Sequence, residues 1–373
     1  MKKVYLDNAA TTSIRQEVIN EMVSILQEEY GNPSSTHSIG RSAKAVIETS
    51  RKTIAKHLHC AASEIIFTSS ATEATNWILR SVVKDFGIKR ILSAKVEHHA
   101  TLYTIQALQE EFGIEVEFIN VTREGTLDYQ QLTDLFNIEI PTLVSLMHVN
   151  NETGVIHDIT KIGTLCHQNK ALFHCDTVQS IGKTEINLQE LPIDFLVASA
   201  HKFHGPKGVG FAFVRKSLVL QPMFFGGEQE KGWRAGTESV HQIAGMSKAL
   251  DLSYQHLEEE QKYILALKNY CCTQLQYAFA EATFNGVDTF YNIVNVLLPF
   301  SPEKTAMILF HLDIKGIAVS RGSACQSGSA KPSHVLAEML TEDELTKPSL
   351  RISFSHYNTK EDIDYLVEVL KGI

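Results

Sequence analysis

The stretch Ile193–Phe211, IDFLVASAHKFHGPKGVGF, decides how this chain is read. From Ile193 to Ala200 it is a mostly apolar run of strand length; from His201 it turns basic, polar and glycine-rich. An apolar run bounded by turn residues fits a strand covered on both faces, as in a parallel sheet wrapped by helices. Gly205, Pro206, Gly208 and Gly210 then allow a tight backbone. Lys202 therefore stands at the exit of a buried strand. A lysine there is open to partial desolvation, which disfavours the ammonium and favours the free amine that forms a Schiff base. Taken alone, a lysine more often lays its stem along the surface and keeps its charge in water. Its neighbours decide between the two.

Working outward, strand-like and helix-like stretches alternate from about residue 40 to residue 255. RSAKAVIETSRKTIAKHL places Ala43, Val46, Ile47, Ile54 and Leu58 near one helical face. EIIFTS, RILSA, VEFINV, TLVSLMHV, ALFHCD, IDFLVASA and GVGFAFV read as strands, with helices expected from Ala71, after His99 and from Ile159. That alternation predicts an α/β fold with a mostly parallel sheet. One long helix is expected from about Val240 to Ala280, with HLEEEQKY as a solvated face. NIVNVLLPF, GIAVS, LRISFS and a last helix from Thr359 predict a smaller α+β domain. No internal repeat or low-complexity linker interrupts the chain.

Length and charge narrow the function. At ~150 residues per domain, a chain of 373 residues holds roughly two domains. A net charge of −9 without a long basic run argues against nucleic acid and against anionic membrane surfaces. No apolar run reaches the ~18 residues of a membrane span, and MKKVYLDNAATTS lacks an apolar signal region, so a cytoplasmic location is expected. Cys60, Cys166, Cys175, Cys271, Cys272 and Cys325 form no CxxC pair, and reduced thiols are expected.

Several short motifs fail on spacing. IGKT, Ile181–Thr184, ends like a phosphate-binding loop, but Thr177 stands where that pattern needs glycine. GPKGVG lacks the spacing of a dinucleotide site. HLHC at residues 57–60 closes a helix and has no second pair of ligands, so no metal site is expected.

A Schiff-base lysine at a strand exit suits pyridoxal 5′-phosphate (PLP). That cofactor needs a carboxylate for its pyridine nitrogen, donors for its phosphate at a helix N-terminus, a flat partner for its ring and a donor near its phenolate oxygen. Asp176 ends the strand ALFHCD, 26 residues before Lys202, and Gln179 follows it. TSSATEATN carries a strand into a helix with Ala71 and Thr72 at its start, and His98 follows another strand in KVEHHA. Each alone is more often structural: a strand-end cap, an N-cap, a loop residue. Their ordered appearance at strand ends of one sheet is what points to a ligand, because open α/β sheets bind ligands there.

At these residues the chain resembles the cysteine desulfurases, of the class-V aminotransferases among the fold-type I PLP enzymes. The resemblance runs nearly end to end: VYLDNAATT, YGNPSSTHSIGR, FTSSATEATN, VEHHA, HVNNETGVI, FHCDTVQSIGK, SAHKFHGPKGVG, RAGTESV, SRGSACQSG and PSLRISFS. It implies a large domain, residues 13–255, with a mostly parallel seven-stranded sheet. A small domain would be built from residues 1–12 and 256–373. It implies that Lys202 carries the cofactor, Asp176 pairs with the pyridine nitrogen, His98 stacks on the ring and Gln179 approaches the phenolate oxygen. Ala71, Thr72, Ser199 and His201 would hold the phosphate. Thr237 would reach the phosphate of a neighbouring subunit, making a homodimer part of the site. Asn151 would contact the substrate, L-cysteine, and Arg351 would clamp its carboxylate, which guanidinium matches with two parallel hydrogen bonds.

The resemblance also explains Cys325. SRGSACQSG, Ser320 to Gly328, has the small-residue composition of a mobile, exposed loop, the longer kind found in the NifS/IscS-like branch. In this family the loop cysteine takes sulfur from the substrate as a persulfide, L-alanine leaves, and the cysteine swings out to an acceptor protein. His98 is a candidate to take or relay a proton. Only ISFSHYNTKEDIDYLVEVLKGI follows Arg351, shorter than the tail of relatives that serve an iron–sulfur scaffold. The acceptor therefore stays open between a scaffold, a tRNA-thiolation enzyme and another sulfurtransferase. Selenocysteine lyase, sulfinate desulfination and transamination are the rival reactions on this fold. His99 has no assigned role, and Cys175, Cys271 and Cys272 read as packing residues.

Overall fold

The computed structural model describes residues 2–322 and 333–373. The strands are β1 Val4–Tyr5, β2 Ile65–Thr68, β3 Arg90–Ala94, β4 Glu115–Ile119, β5 Thr142–Met147, β6 Leu172–Asp176, β7 Phe195–Ser199, β8 Gly210–Val214, β9 Thr283–Phe284, β10 Ile293–Leu297, β11 Ile317–Ala318 and β12 Ser349–Ser353. The helices are α1 Gln16–Glu28, α2 Ser38–His57, α3 Ala71–Asp85, α4 His99–Phe112, α5 Tyr129–Leu135, α6 Ile159–Gln168, α7 Val240–Gln255, α8 Leu257–Ala278, α9 Pro302–Ile314, α10 His334–Ala337, α11 Glu342–Thr346 and α12 Lys360–Lys371.

Among the described residues, seven strands form one sheet in the order β2-β8-β7-β6-β5-β3-β4. All run parallel except β8, which is antiparallel to both β7 and β2. The apolar runs of the sequence follow from helices on both faces. Leu196 and Ala198 of β7 join one core with Ile47, Ile54, Met246 and Leu250 from α2 and α7. Phe195 and Val197, one step along the same strand, join another with Trp77, Ile78, Ile105 and Leu108 from α3 and α4. Side chains alternate across a strand, so a strand covered twice has no polar side to show. Each such side chain, fully buried, contributes about 1.5–3 kcal/mol. Of the predicted α2 face, Ala43, Ile47, Ile54 and Leu58 are buried and Val46 is half-buried.

A further core gathers Val4 and Leu6 with Ile264, Leu267 and Leu275 of α8, Val294 and Val296 of β10, Leu350 and Ile352 of β12, and Ile363 and Leu366 of α12. Its sheet has the order β12-β10-β9, antiparallel, and β1 pairs in parallel with β11. Among the described residues no helix is long and apolar enough to cross a membrane.

The expected long helix is two. His256 separates α7 from α8, and its N–H bonds to Leu252 and Tyr254 carbonyls, closing α7. Glu258, Glu259 and Glu260 then occupy the first turn of α8, where the helix dipole favours acidic side chains. Nor is HLEEEQKY wholly a solvated face: Glu260 accepts two bonds from Arg15 Nη2, at 2.6 and 2.8 Å. HLHC does close a helix, with His57 Nε2 2.8 Å from Asp251 Oδ1.

Candidate active site

Loops leaving the carboxyl ends of β2, β3, β5, β6 and β7 open on one edge of the sheet, because these strands run parallel. One cavity there is lined by Ala71, Thr72, His98, Asn151, Asp176, Gln179, Ser199, His201, Lys202 and Arg351, together with Ala9 and Ala10. Ten of the twelve residues singled out in the sequence thus share one space.

Lys202 ends the short turn that follows β7. Its Nζ donates to the carbonyls of Ala9, at 2.7 Å, and Ala10, at 2.9 Å. Those carbonyls are held in place by the segment beyond them. Thr12 donates to the His201 carbonyl through both its amide and its hydroxyl, each at 2.9 Å, and its Oγ1 accepts from the His204 amide at 2.8 Å. Asp176 ends β6, and its Oδ1 accepts from the Val178 amide at 2.9 Å. Burial pushes its carboxyl up, against the pull of that bond and of the Lys202 ammonium. A cation brought to this carboxylate would relieve that penalty. Gln179 Nε2 donates to the Ala9 carbonyl at 2.9 Å.

The N-terminus of α3 faces the same space. Ser70 caps it, accepting from the Glu73 amide at 3.2 Å, while Ser199 Oγ accepts from the Ala71 amide at 2.8 Å. Gly210 makes this junction possible. A Cβ there would lie 2.3 Å from the Ala198 carbonyl oxygen and 3.2 Å from the Ala71 nitrogen. Thr72 is exposed into the cavity, beside amides whose dipole favours an anion. His201 lies on the same side, with Nδ1 3.2 Å from Thr11 Oγ1. Burial and the charges of Lys202, Lys207 and Lys183 push it down to about 4, so it is neutral near pH 7.

His98 is the N-cap of α4: its Nδ1 accepts from the Ala100 amide at 3.1 Å. Burial, then Lys202, His99 and His334, push it down to about 4. The ring is therefore neutral with its proton on Nε2. The lone pair expected to accept a proton is already committed to the helix cap, so His98 presents a flat ring and one N–H donor. The adjacent His99 ring lies 4.3 Å from the His334 ring, centroid to centroid.

Arg351, in β12, is 1% exposed. Without the resemblance it would read as a surface charge; its burial removes that reading. Nη1 donates to the Asn151 carbonyl and Nη2 to Asp7 Oδ1, both at 2.8 Å. Arg351 Nε and Asn151 Oδ1 are buried and have no protein partner. Such an unpaired donor and acceptor on one cavity fit a ligand that supplies both. Asp7 escaped sequence reasoning, as did the carbonyls of Ala9 and Ala10. The only signal was a run of small residues, DNAATT, which has no periodicity to place it. Taken together, the edge offers an amine, a buried carboxylate, an anion-favouring helix end and a planar ring. That set can hold a planar, anionic, carbonyl-bearing ligand.

Thr237 is exposed and does not line the cavity. Cys325 and most of its loop lie outside the described residues. Flanking residues that are described come together near Glu152: Ser333 Oγ donates to Glu152 Oε2, and a Cβ at Gly322 would lie 3.4 Å from the same oxygen. Ser320, at the start of the loop, pairs with Arg351, which lines the cavity; its carbonyl accepts from the Arg351 amide at 2.7 Å. Burial pushes the Cys175, Cys271 and Cys272 thiols up, as for packing residues.

The class-V aminotransferase pattern matches residues 4–366. The chain is 39% identical over 374 residues to a protein named cysteine desulfurase IscS from Dictyoglomus turgidum, covering 100% of this chain and 94% of that one. A solved NifS-like protein superposes with a TM-score of 0.91 at 34% identity, covering 100% and 99% of the two chains. A structure described as SspA in complex with cysteine superposes with a TM-score of 0.81 at 29% identity, covering 96% and 100%. These full-length likenesses, over a fold that brings the motif residues to one edge, mean that the chain belongs to the class-V aminotransferase family, on its IscS- and NifS-like cysteine desulfurase branch.

Proposed function

We infer that this protein is a PLP-dependent cysteine desulfurase that converts L-cysteine to L-alanine and leaves the sulfur as a persulfide on Cys325. The observation that carries the reading is the convergence of Lys202, Asp176, His98 and Arg351 on one cavity in a chain similar to IscS over its whole length. The donor set fits PLP: Lys202 to hold its carbonyl carbon, Asp176 for the pyridine nitrogen, His98 against the ring, and Ala71, Thr72, Ser199 and His201 around the phosphate. When bound, PLP supplies an electron sink that loosens bonds to the substrate carbons.

The protein's own residues do the rest. Arg351 orients the substrate carboxylate and Asn151 contacts the substrate, with Asp7 keeping the guanidinium in place. A cysteine thiolate at residue 325 attacks the substrate sulfur. The carbon–sulfur bond breaks, its electron pair stays on carbon, a sulfur–sulfur bond forms, and carbon takes up a proton to become alanine. Lys202 is the group placed to carry that proton, while His98, neutral with its proton on Nε2, offers a hydrogen-bond donor at the cavity. The pairing of Ser320, at the start of the Cys325 loop, with Arg351 of the cavity supports delivery of Cys325 there.

The same reading takes the two cores that flank the seven-stranded sheet as a large domain, residues 13–255, and the third as a small one, residues 1–12 and 256–373. It takes exposed Thr237 as a phosphate contact for the second subunit of a homodimer, and an iron–sulfur scaffold or a tRNA-thiolation enzyme as the sulfur acceptor. The cytoplasm is the compartment that suits a reduced, transferable thiol. The test is alanine and sulfide release from L-cysteine with a thiol reductant. Wild type should yield the two one for one, and Cys325→Ala should bind substrate and release neither. Equal activity in both proteins would exclude Cys325 as the sulfur acceptor and favour lyase or transaminase chemistry.

A further inference from the structure

Lys183 is a buried charge beside the site that this reaction leaves unused. It is the lysine of IGKT, the sequence that ends like a phosphate loop without being one. It is 7% exposed. Beyond β6 the backbone winds through successive turns, with the Ile181 amide on the Thr177 carbonyl at 2.9 Å and the Thr184 amide on the Ser180 carbonyl at 3.1 Å. Residues four apart on such a winding share a side, so Gln179 and Lys183 meet. Gly182, at φ +70°, lets the turn close on the residue after Lys202; a Cβ there would lie 3.0 Å from Phe203 Cβ.

Lys183 Nζ lies 3.4 Å from Gln179 Oε1. An ammonium only donates, so it selects the oxygen of the amide and turns the NH₂ end away. That end donates to the Ala9 carbonyl at 2.9 Å, the same carbonyl that accepts from Lys202 at 2.7 Å. We propose that Lys183 is a positioning residue, which fixes the Gln179 amide with its donor toward the cavity and sets a second positive charge behind Lys202. The proposal rests on the PLP reading, in which the Gln179 NH₂ faces the phenolate oxygen.

Burial, then the Lys202 charge, push the Lys183 ammonium down to about 7, so its charge acts on Lys202 mainly below that pH. His201 feels the Lys183 charge from the turn after β7, and the Tyr254 hydroxyl of α7 lies beside Gly182. Asp176 offsets Lys202 from the end of β6. A buried lysine with one long hydrogen bond destabilises a fold, and a methionine of similar length would pack there at less cost. With PLP bound, the Lys183 charge disfavours a proton on the Lys202 nitrogen. The Gln179 donor acts in the same direction by drawing on the phenolate that would stabilise that proton.

The test is a pH titration of the visible absorbance of the PLP-loaded enzyme, for wild type, Lys183→Met and Lys183→Arg. Lys183→Met should raise the midpoint by about one pH unit, a tenfold gain in proton affinity. Lys183→Arg, which stays charged across the titration, should leave the midpoint at or below the wild-type value. Should the methionine variant fold without retaining PLP, Lys183→Gln replaces it with the same expected direction. A visible band in every protein with one unmoved midpoint overturns the inference alone. A wild type that takes up no PLP overturns the cofactor reading and the inference with it.

Discussion

Arg351 illustrates how a single residue sets the substrate. Its two terminal nitrogens already bond to Asn151 and Asp7, which hold the guanidinium plane fixed before any ligand arrives. Lysine could keep the charge but not that plane. Arg351→Lys should therefore raise the KM for L-cysteine about tenfold or more, the worth of one charge-assisted hydrogen bond, with PLP uptake unchanged. An unchanged KM would remove Arg351 from the substrate. His98 makes a second prediction at this scale. With Nδ1 tied to the Ala100 amide and burial pushing the ring down to about 4, an NMR titration should find it neutral, with its proton on Nε2, throughout the pH range above 5. A midpoint near 6.5 would restore it as a base. Lys202 was legible in the sequence because an apolar run leads straight into it. Asp7 was not, because its partner is 344 residues away and no local pattern encodes that pairing.

At the scale of elements, the junction of β7, β8 and α3 carries the anion-holding end of the site. Gly210→Ala would drive a methyl into the Ala198 carbonyl and against the Ala71 amide. It should destabilise the protein by about 1–3 kcal/mol and weaken PLP retention more than the stability loss explains, read by thermal melting and by PLP dissociation. An alanine variant that melts and holds PLP like wild type would show that the junction has slack. Strands and helices were legible here because apolar runs and helical periodicity are local. The reversed direction of β8 was not, because an apolar run reads the same in either direction. The break at His256 was marked only by three glutamates, which serve equally as a solvated face or as a helix start.

Over the whole molecule, buried neutral histidines govern the response to acid. Burial pushes His98, His148, His157 and His201 down to about 4, and His174 and His204 to about 3. In the unfolded chain each binds a proton near pH 6.5. Between these values the unfolded state holds more protons, so the stability they support is full above about 6.5 and is lost as pH falls toward 4 and 3. The raised carboxyls of Glu97, Asp176, Asp194 and Glu238 oppose this but are fewer. Melting temperature should fall between pH 6.5 and 4.5, with a shallower slope in His157→Gln; a flat profile would contradict the burial argument. The division into a double-faced sheet and a smaller antiparallel one was legible from the change of pattern beyond residue 255, whereas the return of Val4 and Leu6 to the second core was not readable from pattern, since two apolar residues carry no period. The claim on which everything else depends is that sulfur leaves L-cysteine for Cys325. The direct test is mass spectrometry of peptides from PLP-loaded enzyme given L-cysteine without reductant. One added sulfur on the peptide containing Cys325, matched by alanine in solution, is the result this account requires. Alanine formed with Cys325 unmodified, or sulfur found on another cysteine, would contradict it.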